Sequence, residues 1–192
     1  SLLTSDHPIV TGAVDLLLGS EQGNCSFGVW PDENDKTLLI EVMYVLETLA
    51  PAQLQADRFL PPTPLRIMVN HKKESLTLDL PKLEKGAPYK LLDNPQINRE
   101  ILPGMLKAAK SFAQEHAQAI IAESSKTMTQ QLQTEIDRLT SLRKVNDHVR
   151  PEEIELARKQ LVRLTSALAQ SRVRLDAVRL IWKGSPESIG GA

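Results

Sequence analysis

Residues 37–49 read TLLIEVMYVLETL and form the strongest strand pattern in the chain. Successive side chains of a β-strand point to opposite faces, so every second residue lies on the same face. The opposite face mixes apolar side chains with Glu41 and Glu47, and we expect it to be partly exposed. The sequence therefore predicts a strand with one continuous apolar face, made of Leu38, Ile40, Val42, Tyr44 and Leu46.

Shorter strand patterns flank this run. Residues 25–30 form a strand candidate, and two alternating runs begin at Leu65 and at Leu76. The polar residues 70–75 between those runs indicate a β-hairpin. Asp6 followed by Pro8 is typical of a helix start, because Asp caps free backbone N–H groups and Pro is tolerated in the first turn. Up to about Leu80, we therefore expect an antiparallel sheet with a covering N-terminal helix.

A proline-rich run, residues 54–66, interrupts the strand patterns. Pro61, Pro62 and Pro64 each fix φ near about −65° and remove a backbone donor. The run is therefore expected to be a stiff extended connector. Two uses are open, a rigid crossover between strands or a presented proline-rich peptide. We favour the crossover, because apolar strand-like runs flank the segment on both sides.

The second half of the chain reads as helical. Prolines and a glycine punctuate residues 81–103, with room for a short helix at 94–102. From Gly104 onward, apolar residues recur at spacings of three and four, which predicts a long amphipathic helix. Pro151 opens a last helix, in which the same spacing continues to Trp182. The short connection predicts an antiparallel helical hairpin, roughly 50 Å long.

These patterns predict an α+β fold, an antiparallel β-sheet with a covering N-terminal helix followed by a long antiparallel helical hairpin. The expected divisions are a helix-plus-sheet subdomain at 6–80, a proline-rich transition at 81–103 and the hairpin at 104–183. Residues 184–192 are small and polar, and we expect a disordered tail or a cloning remnant there.

Composition narrows the class of protein. The 192 residues are 41% hydrophobic and 24% charged, with a net charge of −1, which is ordinary for a globular protein. A chain with almost no net charge is not expected to bind nucleic acid over its whole surface. Cys25 is the only cysteine, so no internal disulfide can form, which suits a cytoplasmic protein. No apolar run reaches membrane-spanning length, and we expect no membrane partner.

No pattern in the sequence predicts catalysis, a cofactor or a metal. Neither G-x-x-x-x-G-K-[ST] nor G-x-G-x-x-G occurs. The acidic segment 31–35 (PDEND) follows a strand as the acidic pair of an ATPase would, but its residue types favour a surface turn. The four histidines lie in four different elements without a second ligand at metal-binding spacing. Cys25 is expected to be a small buried apolar residue.

Basic residues cluster toward the end of the chain. A solvated helix face is the simpler interpretation, and a basic ridge that binds RNA, DNA or an acidic protein surface is the alternative. No aromatic residues interleave with these charges, which weakens a single-strand stacking role. The candidate partner-binding residues are Arg172, Arg174, Arg179 and Lys183.

Several motifs together resemble the C-terminal domain of the RapA family, bacterial RNA polymerase-associated ATPases of the SWI/SNF type that are also called RNA polymerase recycling factors. The similarity extends over residues 6–181, with a divergent middle from about 71 to 103. It rests on 6–9 (DHPI) leading into 14–18 (VDLLL), 40–47 (IEVMYVLE) followed by Ala50-Pro51, 58–64 (RFLPPTP) with Arg66, 138–139, 142–143, 145–146 and 174–181 (RLDAVRLI).

The resemblance implies an accessory domain of an ATP-dependent motor in transcription. ATP and Mg²⁺ would belong to motor lobes that this chain lacks, and no enzyme activity is expected of it. Core RNA polymerase, the remaining domains of the parent chain and possibly DNA or RNA are the implied partners, in the bacterial cytoplasm near the nucleoid. Two alternatives stay open, a nucleic-acid-binding module using the basic face of the last helix, and a coiled-coil oligomerisation module.

Overall fold

The computed structural model describes residues 25–86, 91, 93–146 and 148–185. The N-terminal helix expected from Asp6 and the tail from residue 186 lie outside these residues. The described parts fall into two compact units. One takes in Ser1–Tyr44, Leu65–Gln114 and Leu175–Ala192, and the other takes in Val45–Pro64 and Glu115–Arg174.

A five-stranded sheet is formed in the order β1-β5-β2-β3-β4. Strand β1 pairs with β5 in parallel, whereas β3 and β4 are antiparallel. The α+β class is therefore confirmed, but the sheet is mixed rather than purely antiparallel. The strands are β1 (Cys25–Trp30), β2 (Thr37–Glu47), β3 (Thr63–Asn70), β4 (Ser75–Leu76) and β5 (Arg172–Lys183).

The expected central strand is confirmed as β2. All five residues of its apolar face are buried, namely Leu38, Ile40, Val42, Tyr44 and Leu46. Ile40, Val42 and Leu46 are at 0% exposure. On the other face Leu39 and Glu41 are buried and Met43, Val45 and Glu47 are half-buried, which agrees with its mixed composition. Hydrophobic burial on one complete face fixes the register of this strand, because a slip of one residue would expose the whole apolar set.

The proline-rich run connects β2 to β3. Two 3-10 turns, Ala52–Leu54 and Ala56–Arg58, precede the prolines, so only the later part of the run is extended. Leu60 anchors the connector at 1% exposure. Pro64 is the second residue of β3 and lies outside the Met68–Val69 stretch that pairs with β4.

The hairpin between β3 and β4 is confirmed, although β4 is only two residues long. Asn70 organises the turn, since its Oδ1 accepts hydrogen bonds from the N–H groups of Lys72 (3.0 Å) and Glu74 (2.9 Å). Lys73 takes a positive φ of 68° within this turn. The alternating pattern that begins at Leu76 does not continue as a strand. The chain leaves the sheet after that residue.

Residues 77–86 (TLDLPKLEKG) form an extended segment that we call the strap. It leaves β4 and reaches β1 at the opposite edge of the sheet, where Glu84 and Val29 exchange two backbone hydrogen bonds of 2.8 and 2.9 Å. Its side chains Leu80 and Leu83 pack against a buried cluster made of Leu39, Met68 and Ile181.

Glycines permit the strap to approach β1 closely. A Cβ on Gly28 would lie 2.8 Å from Leu83 Cδ1, and a Cβ on Gly86 would lie 2.6 Å from a methyl group of Val29. Such distances are shorter than side chains tolerate, so any larger residue at either position would push the strap away from the strand.

The expected long helix is confirmed as α1 (Leu102–Arg143), which is 42 residues long. A π-turn at Ile97–Ile101 leads directly into it, so the expected short helix at 94–102 merges with the long one. Pro103 cannot donate a backbone hydrogen bond, and the wider π-turn accommodates the missing bond. The polar residues 124–127 do not interrupt the helix.

The prediction for the end of the chain is wrong. The last helix, α2, runs from Pro151 to Ala169, and Arg172–Lys183 is a strand, not the second half of that helix. Residues 180–182 are buried in succession and residue 178 is buried as well, although Arg179 between them is exposed, because β5 lies inside the sheet. A strand segment covered on both faces shows a continuous apolar run. Such a run also fits the three-four spacing of a helix, so the two cannot be distinguished by spacing alone. The antiparallel orientation of the two helices stays a prediction.

Candidate partner-binding surface

The four candidate partner-binding residues all lie on β5 and not on a helix. This position changes what they can do, because a strand in the sheet brings each side chain next to the acids of neighbouring segments. The structure places a carboxylate beside each of Arg172, Arg174, Arg179 and Lys183.

Glu47 of β2 holds two of these cations. Its Oε1 lies 2.9 Å from an Nη atom of Arg172, and its Oε2 lies 3.3 Å from Nε of Arg174. The hydrogen bond from Arg172 is the main cause that lowers the pKa of the Glu47 carboxyl below its ordinary value. Desolvation opposes this effect, and the weaker hydrogen bond from Arg174 adds to it. The two guanidinium groups thus favour the ionised form of this carboxylate.

Glu41 joins three neighbouring strands. Its side chain is 10% exposed, and it pairs with Nε of Arg66 on β3 at 2.5 Å and with Nη1 of Arg179 on β5 at 3.1 Å. Arg66 also donates to the carbonyl of Leu78 in the strap at 3.2 Å, and Arg179 donates to Ser26 Oγ on β1 at 3.3 Å. This cluster of one acid between two arginines ties the sheet together on the face that the strap crosses.

Lys183 closes the end of β5 against the turn between β1 and β2. Its Nζ lies 2.7 Å from Asp35, 3.3 Å from Asp32 and 4.9 Å from the centre of the Trp30 ring. The hydrogen bond from Lys183 lowers the pKa of Asp35 and raises that of the lysine. The acidic segment 31–35 is the surface turn that its composition predicts, and its two aspartates are the counterions of Lys183.

The contacts that the structure shows for the cations of β5 are therefore ion pairs within the fold. Each shares its charge with an acid of the same unit, so their attraction for an external anion is reduced compared with unpaired side chains. Their role in partner binding stays a prediction. Sequence reasoning missed the acids of this network, although Glu41 and Glu47 on the mixed face of β2 were the available signal.

The described residues do not assemble a metal-binding cluster. Cys25 on β1 is half-buried, and burial raises the pKa of its thiol, which disfavours the reactive thiolate. His71, His116 and His148 lie in separate segments, and within the described ranges no three metal-ligating residues converge. Among the helices that the structure describes, none combines the length and apolar character needed to cross a membrane.

Tyr44 gives the fold a dependence on alkaline pH. Burial raises the pKa of Tyr44 to about 12, above the ordinary value of 10. The folded state therefore keeps the phenol proton more strongly than the unfolded state, so this stability is complete below about pH 10 and falls as the pH rises toward 12.

We expect the wild-type free energy of unfolding to fall by about 2–3 kcal/mol more than that of Tyr44→Phe between pH 9 and pH 12. Urea titrations at several pH values measure this difference, and the variant controls for lysines and other groups that titrate in the same range. Identical pH profiles for the two proteins would contradict the burial of the phenol.

Surface grooves lie among the described residues of the unit that contains α2. One, of 560 Å³, is mainly apolar and lies between residues 49–54, which follow β2, and one side of α2. A second, of 390 Å³, lies where α1 ends and α2 begins. The third, of 630 Å³, is lined by Arg58 and Phe59 of the proline-rich run and by several glutamines, Gln130, Gln131 and Gln160.

Together, these features define an α+β domain whose charged strand residues pair with acids of its own sheet and whose surface carries shallow grooves. The chain belongs to the RNA polymerase recycling family as its C-terminal domain, since the family model matches residues 1–183, up to the last residue of β5. This confirms the resemblance drawn from the sequence motifs.

A curated relative supports the same family. The RNA polymerase-associated protein RapA of Serratia proteamaculans (strain 568) is 32% identical over 187 residues, which cover 92% of this chain and 19% of that relative. The chain therefore spans about a fifth of the length of the relative it matches. The similarity concerns the C-terminal domain and does not extend to the rest of that protein.

Proposed function

We propose that this domain is a non-catalytic accessory domain in transcription that positions an ATP-dependent motor relative to RNA polymerase. The observation that carries the proposal is the match of residues 1–183 to the C-terminal domain of the RNA polymerase recycling family. Core RNA polymerase and the remaining domains of the parent protein are its partners, in the bacterial cytoplasm. ATP and Mg²⁺ belong to the motor lobes, since this sequence carries no phosphate loop.

The surface supports a docking role. Several large apolar side chains are well exposed in the unit that contains α2, including Leu49 at 58% and both Leu156 and Val162 at 68%. Leu49 also lines the apolar groove beside α2. Exposed apolar residues next to a groove favour a protein partner, because apolar burial is the main source of affinity in such contacts.

The test is binding of the chain to purified core RNA polymerase, measured by biolayer interferometry at low and high salt. Saturable binding that survives high salt is expected, because apolar contacts are screened little by ions. Absence of binding by a chain that circular dichroism shows to be folded would assign the polymerase contacts to the rest of the parent protein. The domain would then be a brace for the motor.

The two alternative roles have less support. A nucleic-acid module using Arg172, Arg174 and Arg179 would have to recruit side chains that already have carboxylate partners. A coiled-coil module would have to pair Leu164 and Leu168 between chains, but both are at 0% exposure within a single chain. Light scattering that shows a stable dimer would revive the second alternative.

A further inference from the structure

The backbone of the strap, residues 77–86, is held to the sheet by few contacts. Within the described residues, it pairs with β1 only through the two hydrogen bonds that Glu84 and Val29 exchange. One further hydrogen bond runs from Nη2 of Arg66 to the carbonyl of Leu78, at 3.2 Å. The strap therefore crosses the sheet without forming a strand of it, and its attachment to β1 is a single bridge.

The side chains of the strap cover an apolar part of the sheet. Leu80 and Leu83 are half-buried, and all the other strap residues are exposed. The two leucines pack against Leu39, Met68 and Ile181, none of which is more than 2% exposed. The sheet is thus firmly packed while its cover is not, and such a difference allows one segment to open locally while the core stays folded.

Opening of the strap would also uncover one edge of the sheet. Strand β1 is the first in the strand order, and its inner side pairs with β5. The backbone N–H and C=O of Val29 point to the outer side, where they bond to Glu84. Phe27 lies two residues earlier in the same strand, so its backbone groups point to the same side. An edge of this kind beside an apolar cluster is suited to the addition of an extended peptide.

The strap itself indicates which peptide fits this edge. It runs antiparallel to β1 at the bridge, and its two leucines lie against the apolar cluster. Gly86 passes so close to β1 that a Cβ there would lie 2.7 Å from Cε1 of Phe27. The edge therefore accepts an extended segment with two leucines separated by two residues and a glycine three residues after the second leucine.

We propose that the strap is a removable cover of a peptide-binding edge, and that an extended segment of a protein partner, with the leucine and glycine pattern of the strap, replaces it on β1. The strap then acts as an internal competitor, because a segment of the same chain is present at a high effective concentration. This inference goes beyond the proposed docking to RNA polymerase and concerns a different surface from the groove beside α2.

Native-state hydrogen exchange followed by NMR tests the opening of the strap. The amides of Val29 and Glu84 donate the two hydrogen bonds of the bridge. We expect them to exchange together, about 100-fold faster than the amides of Ile40 and Val42 in β2, because the strap opens locally. Equal protection of all four amides would mean that the strap opens only when the sheet unfolds, and this result would overturn the proposal.

Two variants are designed to release the strap. In Gly86→Val, a Cβ would lie 2.6 Å from a methyl group of Val29, which is fixed in the core at 1% exposure, so the strap has to move. Leu83→Asp removes an anchor without adding bulk beside β1, because a carboxylate is excluded from an apolar cluster. Lys85→Val is the matched control, since it introduces the same side chain as the first variant at an exposed position of the strap.

A fluorescein-labelled peptide with the strap sequence, TLDLPKLEKG, is the probe in a fluorescence anisotropy titration. We expect Gly86→Val and Leu83→Asp to bind it at least about ten-fold more tightly than the wild-type chain or Lys85→Val, because a closed strap lowers the fraction of binding-competent molecules. A second peptide, with serine in place of both leucines, should lose this binding, because the leucines provide the apolar contact.

Four results of the binding experiment would overturn the proposal. The first is no probe binding by released variants whose circular dichroism is native. The second is equal binding of the serine peptide and the probe. The third is loss of the native circular dichroism in both variants, which would make the strap a required part of the fold. The fourth is a stable wild-type dimer in light scattering, which would assign the edge to the strap of a second copy. None of these results depends on whether the chain binds RNA polymerase.

Discussion

Leu164→Asp is expected to unfold the unit that contains α2. Leu164 is at 0% exposure, and removing a buried leucine side chain typically costs about 2–5 kcal/mol. A carboxylate in its place must also be buried or must pull the helix open, which adds several kcal/mol. The sum approaches the whole stability of an ordinary domain, which is about 5–15 kcal/mol.

Far-UV circular dichroism during a thermal scan measures this effect, because α1 and α2 contribute most of the helical signal. Leu156→Asp is the matched control, since Leu156 lies on the same helix at 68% exposure and should change stability by less than about 0.5 kcal/mol. Native helicity with an unchanged melting temperature in Leu164→Asp would show that the apolar side of α2 is not buried in the chain.

Glu41→Gln is expected to have the second largest effect, because it leaves two arginines facing each other without their acid. Breaking a buried ion pair costs about 3–5 kcal/mol when the remaining charge stays buried. The side chains of Arg66 and Arg179 are 40% and 46% exposed, so water recovers part of this cost. We expect a loss of about 2 kcal/mol, or a fall in melting temperature of about 4–8 °C.

Glu135→Gln is the control for this prediction. Glu135 receives two hydrogen bonds from Arg138 one helical turn away, so the same substitution also breaks a two-bond ion pair. That pair lies on the helix surface, with both side chains well exposed, and its loss should leave the melting temperature unchanged within error. Equal effects of the two substitutions would mean that Glu41 does not hold the strands together.

The sequence predicted the elements whose two faces differ. Strand β2 was recognisable because one face is entirely apolar and the other carries Glu41 and Glu47. Helix α1 was recognisable from a stripe sustained over many turns. Strand β5 was misread because Leu180, Ile181 and Trp182 are buried in succession, and a strand segment covered on both faces loses the alternation that distinguishes it from a helix.

The candidate site was less predictable than the fold. The four cations of β5 could be identified from the sequence, but their neighbours could not, because Asp35 and Lys183 are 148 residues apart and meet only in the folded sheet. The groove where α1 ends and α2 begins depends in the same way on residues from two helices. The family, in contrast, could be identified from motifs alone, since the proline-rich run and the late RLDAVRLI segment together are distinctive.

The parallel pairing of β1 with β5 has a consequence for how the protein is made. Cys25 lies opposite Val178, so the partner strand of β1 emerges from the ribosome about 150 residues later. At about 5–20 residues per second, β1 waits on the order of ten to thirty seconds for it. Closing so long a loop is slow, and chains interrupted before β5 expose two strand edges that invite aggregation. Cells producing this domain therefore have reason to protect the nascent chain until its synthesis has passed Lys183.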